Sequence, residues 1–453
     1  MGIFKACDVR GIYPDEINEE KVYRIGRALG TITESAPILV GGDVRLSTET
    51  LRTALTDGLR HSGCQVTDIG VVPTPVLYYA RKKLGINAAV MITASHNPAD
   101  QNGLKIVLGD LPITEQDLLH IKAVADSKEH ISKLGSVSQE DIIDDYEQHL
   151  VELTSKYLEG ITRMPKVVVD SGSGCFSDIA PRIFQRMRIN RVKLFCEADG
   201  TFPERSPNSA DPKALVDLSQ RVQEEKADLG VAFDGDGDRV AFVDETGAIL
   251  TAEQYIAIMA LYGVCATQSD SVVLDIKCGS AAVESIAKSG SEIITERSGH
   301  TFIKTRMIQT GAVMGGEVSG HLFFRALDGG DDGLYAALLM TSIVGKHGKL
   351  SNLIAKLPHY PITPDLRIKV EKSGDILRKI SEAFPSEQVT KLDGVRVAFS
   401  DGWGLARQSV TEPAITLRFE GKTPEALNNV IQRFLTPVPE IKELVNRKLS
   451  KGR

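Results

Sequence analysis

Short apolar runs alternate along this chain with longer amphipathic stretches, a pattern that predicts repeated α/β units. ILVGGD (Ile38 to Asp43) predicts a strand, and a helical stretch follows from Ser47 to about Gly63. QVTDIG (Gln65 to Gly70), a further helix and AAVMIT (Ala88 to Thr93) continue the series. A second unit opens at KVVVDSG (Lys166 to Gly172) and contains a helical run from Lys213 to Lys226. Its strands DLGVAF (Asp228 to Phe233) and RVAFVDETG (Arg239 to Gly247) bracket a tight turn. A third unit begins near Thr251, with the strand SVVLDI (Ser271 to Ile276). Beyond Pro364 the strands shorten, around VRVAFSDGW and AITLRFEG, and helices close the chain; Pro361 and Pro364 read as a hinge. No segment is of low complexity, and no internal repeat is visible.

Composition narrows the class. At 453 residues the chain has room for about three or four domains, and 42% apolar residues suffice for several cores. A net charge of −7 gives no general basic surface for nucleic acid. No apolar stretch approaches the roughly 20 residues of a membrane span, and the N-terminus lacks a charged-then-apolar signal. Six cysteines without C-x-x-C pairing read as reduced core residues of a cytoplasmic protein.

Chemistry concentrates in two loops. DGDGDR places Asp234, Asp236 and Asp238 on alternate residues, with glycines that let the backbone fold until the carboxylates converge. Carboxylates this close repel, and a divalent cation relieves the repulsion. A solvated acidic turn is the plain alternative. An EF-hand shares the D-x-D-x-D spacing and has Glu245 at the twelfth position, but Arg239 stands where that loop needs glycine and the flanks read as strands. The other loop, TASHNP (Thr93 to Pro98), sets Ser95 at the C-terminal end of a buried-looking strand, where open α/β sheets bind ligands. It could equally be a capping turn. No G-x-S-x-G elbow surrounds Ser95. A hydroxyl and a carboxylate cluster can share one hard cation, and a phosphoserine held on Mg²⁺ is the natural outcome.

These loops resemble the signatures of the α-D-phosphohexomutases, in their phosphomannomutase/phosphoglucomutase branch. The resemblance runs along the whole chain. It includes FKACDVRGIYP (Phe4 to Pro14), NGLK (Asn102 to Lys105), DIKCGSA (Asp275 to Ala281), SGHTFIK (Ser298 to Lys304), GEVSGH (Gly316 to His321) and RQSVTEP (Arg407 to Pro413). It implies three similar mixed-sheet α/β domains and a smaller C-terminal α+β domain around a central cleft. Boundaries are expected at 1–150, 151–250, 251–364 and 365–453.

The resemblance also implies a reaction. Phosphorylated Ser95, held on one Mg²⁺ with Asp234, Asp236 and Asp238, would phosphorylate O1 or O6 of a hexose monophosphate. The resulting hexose 1,6-bisphosphate would turn over in the cleft and return its other phosphate. Arg10, Lys105, His96 and His321 are the expected catalytic groups. Glu317 and Ser319 would bind the sugar. Arg239, Lys277, His300 and Lys304 would add positive charge, and Arg407, Ser409 and Thr411 would hold the distal phosphate. Mannose and glucose are the expected sugars, with glucosamine as the alternative. The expected assembly is a monomer or homodimer. A sugar-phosphate phosphatase and a non-catalytic binding protein are the competing readings. Three positions depart from the family pattern: Cys7 replaces a usual tyrosine, Gly42 a frequent arginine, and Val410 a common asparagine.

Overall fold

The computed structural model describes the chain except residues 1, 6, 128, 266–268, 409–413 and 452–453. Among the described residues it forms four sheets. The first has six strands in the spatial order Val9–Ile12, Gln101–Leu108, Ala88–Ile92, Ile38–Gly42, Gln65–Val71 and Ser136–Gln139. The last four run parallel, while Gln101–Leu108 runs antiparallel to Ala88–Ile92. All five residues of Ala88–Ile92 are buried, as a strand covered on both faces requires. Helix Glu19–Ile32 is capped by the Asn18 side chain and buries Val22, Ile25 and Leu29 on one stripe.

The second sheet orders Val240–Asp244, Leu229–Phe233, Lys166–Asp170 and Asn190–Leu194. The third orders Glu292–Glu296, Ser271–Asp275, Met314–Gly316, Leu322–Phe324 and Gly330–Asp331. Both are mixed, with a parallel centre and antiparallel additions. The fourth, from Leu366–Lys369 to Val389–Thr390, is antiparallel throughout. The architecture is three mixed α/β layers and a smaller antiparallel C-terminal domain.

One hydrophobic core runs through the first three sheets. At its centre lies helix Gly333–His347, buried from Gly333 to Val344. Helix Ile143–Leu158 packs on it and spans residue 150, where the sequence suggested a boundary. The C-terminal sheet has its own core, including Ile380, Val397, Leu417 and Phe434.

Asp332 caps the central helix by accepting from the amides of Leu334 and Tyr335, and it also accepts from the Tyr146 hydroxyl. Burial pushes its carboxyl up to about 7, against those hydrogen bonds. The folded state therefore holds this proton more tightly than the unfolded chain does. The stabilisation is full below roughly pH 4 and is lost as pH rises towards 7. Asp332→Asn keeps an acceptor for the cap and is expected to flatten the fall in stability over that range. Urea unfolding at several pH values checks this, and an unchanged slope contradicts it.

Candidate active site

The serine loop leaves the strand Ala88–Ile92 and turns sharply. Ser95 has a left-handed backbone, φ 51°, a strain on the order of 1 kcal/mol that the surroundings must hold. The Thr93 hydroxyl accepts from the Ser95 amide (2.8 Å) and donates to Asp43 (2.7 Å). Asp43 is paired with Arg45, and both side chains are fully buried. Arg45 in turn donates to the carbonyls of Ser95, Asn97, Pro98 and Gln101. One guanidinium thus draws the loop carbonyls to one side, leaving the Ser95 hydroxyl towards Asp234. Arg10 completes the cradle, donating to the Ala94 carbonyl and the Asn97 side chain, each at 3.0 Å.

The departure at Gly42 has a steric reason. A Cβ there would lie 2.4 Å from Thr48 Cγ2, so no side chain fits, and the guanidinium on this loop is that of Arg45. Arg45→Ala is expected to cost about 3 kcal/mol or more, because Asp43 would be left as an unpaired buried charge. Arg45→Lys keeps charge but loses the fork and should fall between. Urea unfolding measured beside turnover checks this. An alanine variant with wild-type stability and rate contradicts it.

The carboxylate loop joins Leu229–Phe233 to Val240–Asp244. It meets the serine loop directly: Ser95 Oγ donates to Asp234 Oδ2 at 2.9 Å. At Gly235 a Cβ would stand 2.7 Å from the Ser95 carbonyl, so glycine permits this approach. Asp234, Asp236 and Asp238 are buried, with ligand oxygens within 4.8 Å of one another. Lys105 reaches across from the strand Gln101–Leu108 and bonds Asp236 Oδ2 (2.7 Å) and Asp238 Oδ2. Burial opposes its charge, but the two carboxylates outweigh burial and raise its pKa well above the ordinary value. At Asp234 the surroundings disfavour the charge instead. Burial and the charges of Asp236 and Asp238 push its pKa up to about 8. Among the described residues the buried Oδ1 of Asp236 has no hydrogen-bond partner, and the buried Oδ1 of Asp238 only faces the His321 ring at 3.5 Å. A hydroxyl and three carboxylates with orphaned oxygens are the donor set of a hard divalent cation, so these residues fit Mg²⁺.

The third sheet brings GEVSGH to the same point. His321 Nδ1 lies 3.1 Å from Glu317 and 3.0 Å from the Ser319 hydroxyl. Its Nε2 accepts from Arg239 Nε at 3.2 Å when neutral, and faces Asp238 (3.5 Å) and Asp331 (3.7 Å). Burial and Arg239 depress its pKa, but Asp238 and Glu317 prevail and raise it to about 9. The imidazole can therefore alternate between accepting from Arg239 and donating to a carboxylate. His96 Nδ1 sits 3.3 Å from Ser95 Oγ; burial, Arg239 and Arg10 lower its pKa well below normal, so this ring is neutral. His300 lies 5.6 Å from the His321 ring, and burial with the charges of His321 and Lys105 lowers it to about 3. In this arrangement it offers a polar neutral ring rather than positive charge.

The remaining cations are more dispersed. Lys277 sits between Asp275 (3.7 Å) and Asp365 (3.4 Å), at the junction of the third and fourth sheets. Arg407 pairs with Asp393 at 2.7 Å, and Asp393 also accepts from the Ser298 amide. Lys304 lies 4.0 Å from the Tyr78 ring centroid and lines a cavity of about 770 Å³ between the first and third sheets, which Lys105, His300 and Asp331 also line. Ser409, Val410 and Thr411 fall outside the described residues. Cys7 contacts the Thr301 hydroxyl, and burial raises its thiol to about 11.

Sequence reasoning did not single out Asp43, Arg45 or Asp331. GGDVRLS carried a usable signal for the first two, since an acid and a base follow an apolar run as Ser95 does. For Asp331 the signal was DGGDDG, a second acid-glycine run.

A left-handed serine whose hydroxyl donates to one of three buried aspartates, where the first three sheets meet, is the arrangement of a metal-assisted phosphoryl-transfer enzyme. The chain matches the phosphoglucomutase/phosphomannomutase family in its alpha/beta/alpha domains I, II and III, over residues 1–132, 144–247 and 251–360, and in its C-terminal domain over 366–436. It belongs to that family. It is 37% identical to a phosphomannomutase/phosphoglucomutase of Pseudomonas aeruginosa, covering 94% of this chain and 93% of the relative. It is 34% identical to a phosphoglucomutase of Neisseria meningitidis, covering 95% of each. The crystal structure of a phosphoglucomutase/phosphomannomutase family protein from Burkholderia thailandensis superposes with a TM-score of 0.87 at 32% identity, covering 96% and 97% of the two chains. No helix among the described residues is long and apolar enough to cross a membrane.

Proposed function

We propose that the protein interconverts hexose 1-phosphate and hexose 6-phosphate, with glucose and mannose as sugars, through phosphorylated Ser95 and a hexose 1,6-bisphosphate. The observation that carries this is the 2.9 Å bond from Ser95 to Asp234, between residues 139 apart in the chain. A bound Mg²⁺, held by Ser95 and the three aspartates, would offset charge on the transferring phosphoryl group.

The chain's own groups do the rest. In the first half-reaction the bond between Ser95 Oγ and phosphorus breaks, and phosphorus bonds the free sugar oxygen. That oxygen gives up its hydroxyl proton and Oγ gains one. His96, neutral, can accept; Lys105, kept as an ammonium by Asp236 and Asp238, and His321, protonated, can donate. The bisphosphate then reorients, and the second half-reaction runs the same exchange backwards from the other phosphate. Glu317, held ionised against burial by His321 and Lys277, can accept from two adjacent sugar hydroxyls. Arg407 with Ser409 and Thr411 would bind the distal phosphate in both orientations, which a hinged fourth domain can follow.

A coupled assay tests this reading with glucose 1-, mannose 1- and glucosamine 1-phosphate and a trace of bisphosphate. The expected result is 6-phosphate from glucose and mannose with no inorganic phosphate. Released phosphate would make the protein a hydrolase, and turnover of glucosamine alone would make it a phosphoglucosamine mutase.

A further inference from the structure

The carboxylate loop is held from outside by its own carbonyls. The Gly235 carbonyl accepts from the Cys175 amide, that of Asp236 from the Thr74 amide, and that of Gly237 from the Gly333 amide. These donors come from the second, first and third α/β layers in turn. Thr74 differs from the other two because it makes a second contact. Its hydroxyl donates to Asp236 Oδ2 at 2.6 Å, and its amide donates to the Asp236 carbonyl at 2.9 Å. The residue is fully buried and opens the helix Thr74–Lys83, between Pro73 and Pro75.

The consequence lies in which oxygen remains. Asp236 Oδ2 already takes Lys105 and Thr74, two donors on one atom. Oδ1 takes none among the described residues, although it is buried. A carboxylate with one oxygen doubly bonded and the other bare cannot rotate without breaking both hydrogen bonds. The bare oxygen is the one left for a cation.

We propose that Thr74 is a positioning residue for the divalent-cation site: its hydroxyl fixes the rotamer of Asp236 and presents Oδ1 to the metal. The inference rests on the cation reading of the triad. Lys105 alone does not fix the rotamer, because its ammonium also bonds Asp238 and sits on a flexible stem. Thr74 is short, branched and locked by its backbone bond to the same residue. Partners of this kind, bonded to a ligand rather than to the metal, typically change metal affinity by about 10–100-fold when removed.

The test is calorimetric titration with Mg²⁺ alone, repeated with Mn²⁺, on the full-length enzyme without sugar phosphate. Thr74→Val keeps the shape and removes the hydroxyl, so it is expected to weaken both metals by about 10-fold or more. Thr74→Ser restores the hydroxyl and is expected to bind as wild type. Should valine be poorly tolerated, Thr74→Ala set against Thr74→Ser repeats the comparison, since both lack the methyl group. In the assay, a positioning role raises the Mg²⁺ concentration needed for half-maximal rate, with turnover recovered at saturating metal. A purely structural role would lower melting temperature and leave affinity alone. Wild-type affinity in Thr74→Val, or equal weakening in Thr74→Ser, overturns the inference. A wild-type enzyme that binds neither metal overturns the cation reading itself, which is a distinct result.

Discussion

Ser95→Ala is expected to reduce mutase turnover by roughly 10⁴-fold or more, the scale seen when a covalent nucleophile is removed. The hydroxyl is buried and makes one strong contact, to Asp234. Asp234 keeps the amides of Gly237 and Arg239 on its other oxygen, so the loop does not lose its anchor. The serine loop is held by Arg45, Thr93 and Arg10, not by the hydroxyl. Alanine is no worse than serine in a left-handed backbone. The variant should therefore fold with a melting temperature within a few degrees of wild type. Circular dichroism and the coupled assay on one preparation check both halves. A folded alanine variant turning over at a near-normal rate excludes the covalent route.

Asp238→Asn, and chelation of the wild-type enzyme, carry the next largest effect. Asp238 touches Lys105 and faces His321, so its loss reaches the cation site and the proton-carrying groups together. Burial works against its charge, but Lys105 and His321 outweigh it and hold its pKa well below the ordinary value. Turnover is expected to fall by about 10²–10³-fold in the variant. Excess Mg²⁺ should restore the chelated wild type in full but leave most of the asparagine deficit. The variant should also lose stability without metal, since the folded state favours the Asp238 charge, paired with Lys105 and facing His321, over a neutral side chain. A chelated enzyme that keeps its full rate contradicts the cation account.

Much of this site was legible because each loop carries its chemistry locally. A hydroxyl at the end of AAVMI and three aspartates spaced by glycines need no tertiary information to be noticed. The strands around them are uniformly apolar runs, and a buried strand can be little else. Where the contacts depend on docking between sheets, the sequence is silent. Thr74 sits in VVPTP, a turn with no chemical signature, and meets Asp236 only because the first and second sheets pack together. Helix Gly333–His347 offers almost no polar face, so helical periodicity fails where burial is most complete. Lys304 lies in a segment read as part of the binding set, and its side chain packs on the Tyr78 ring beside the cavity that Lys105, His300 and Asp331 also line. Direction along a helix is decided by packing, which a motif does not encode.

Phosphoryl transfer through Ser95 is most directly tested by mass. The intact enzyme is incubated with glucose 1,6-bisphosphate, cleared of sugar, weighed and mapped by peptide fragmentation. The account predicts a gain of one phosphoryl group on the peptide holding Ser95, lost again when excess glucose 1-phosphate is added and absent from Ser95→Ala. An enzyme that turns over sugar phosphate while never carrying phosphate on that serine would contradict it.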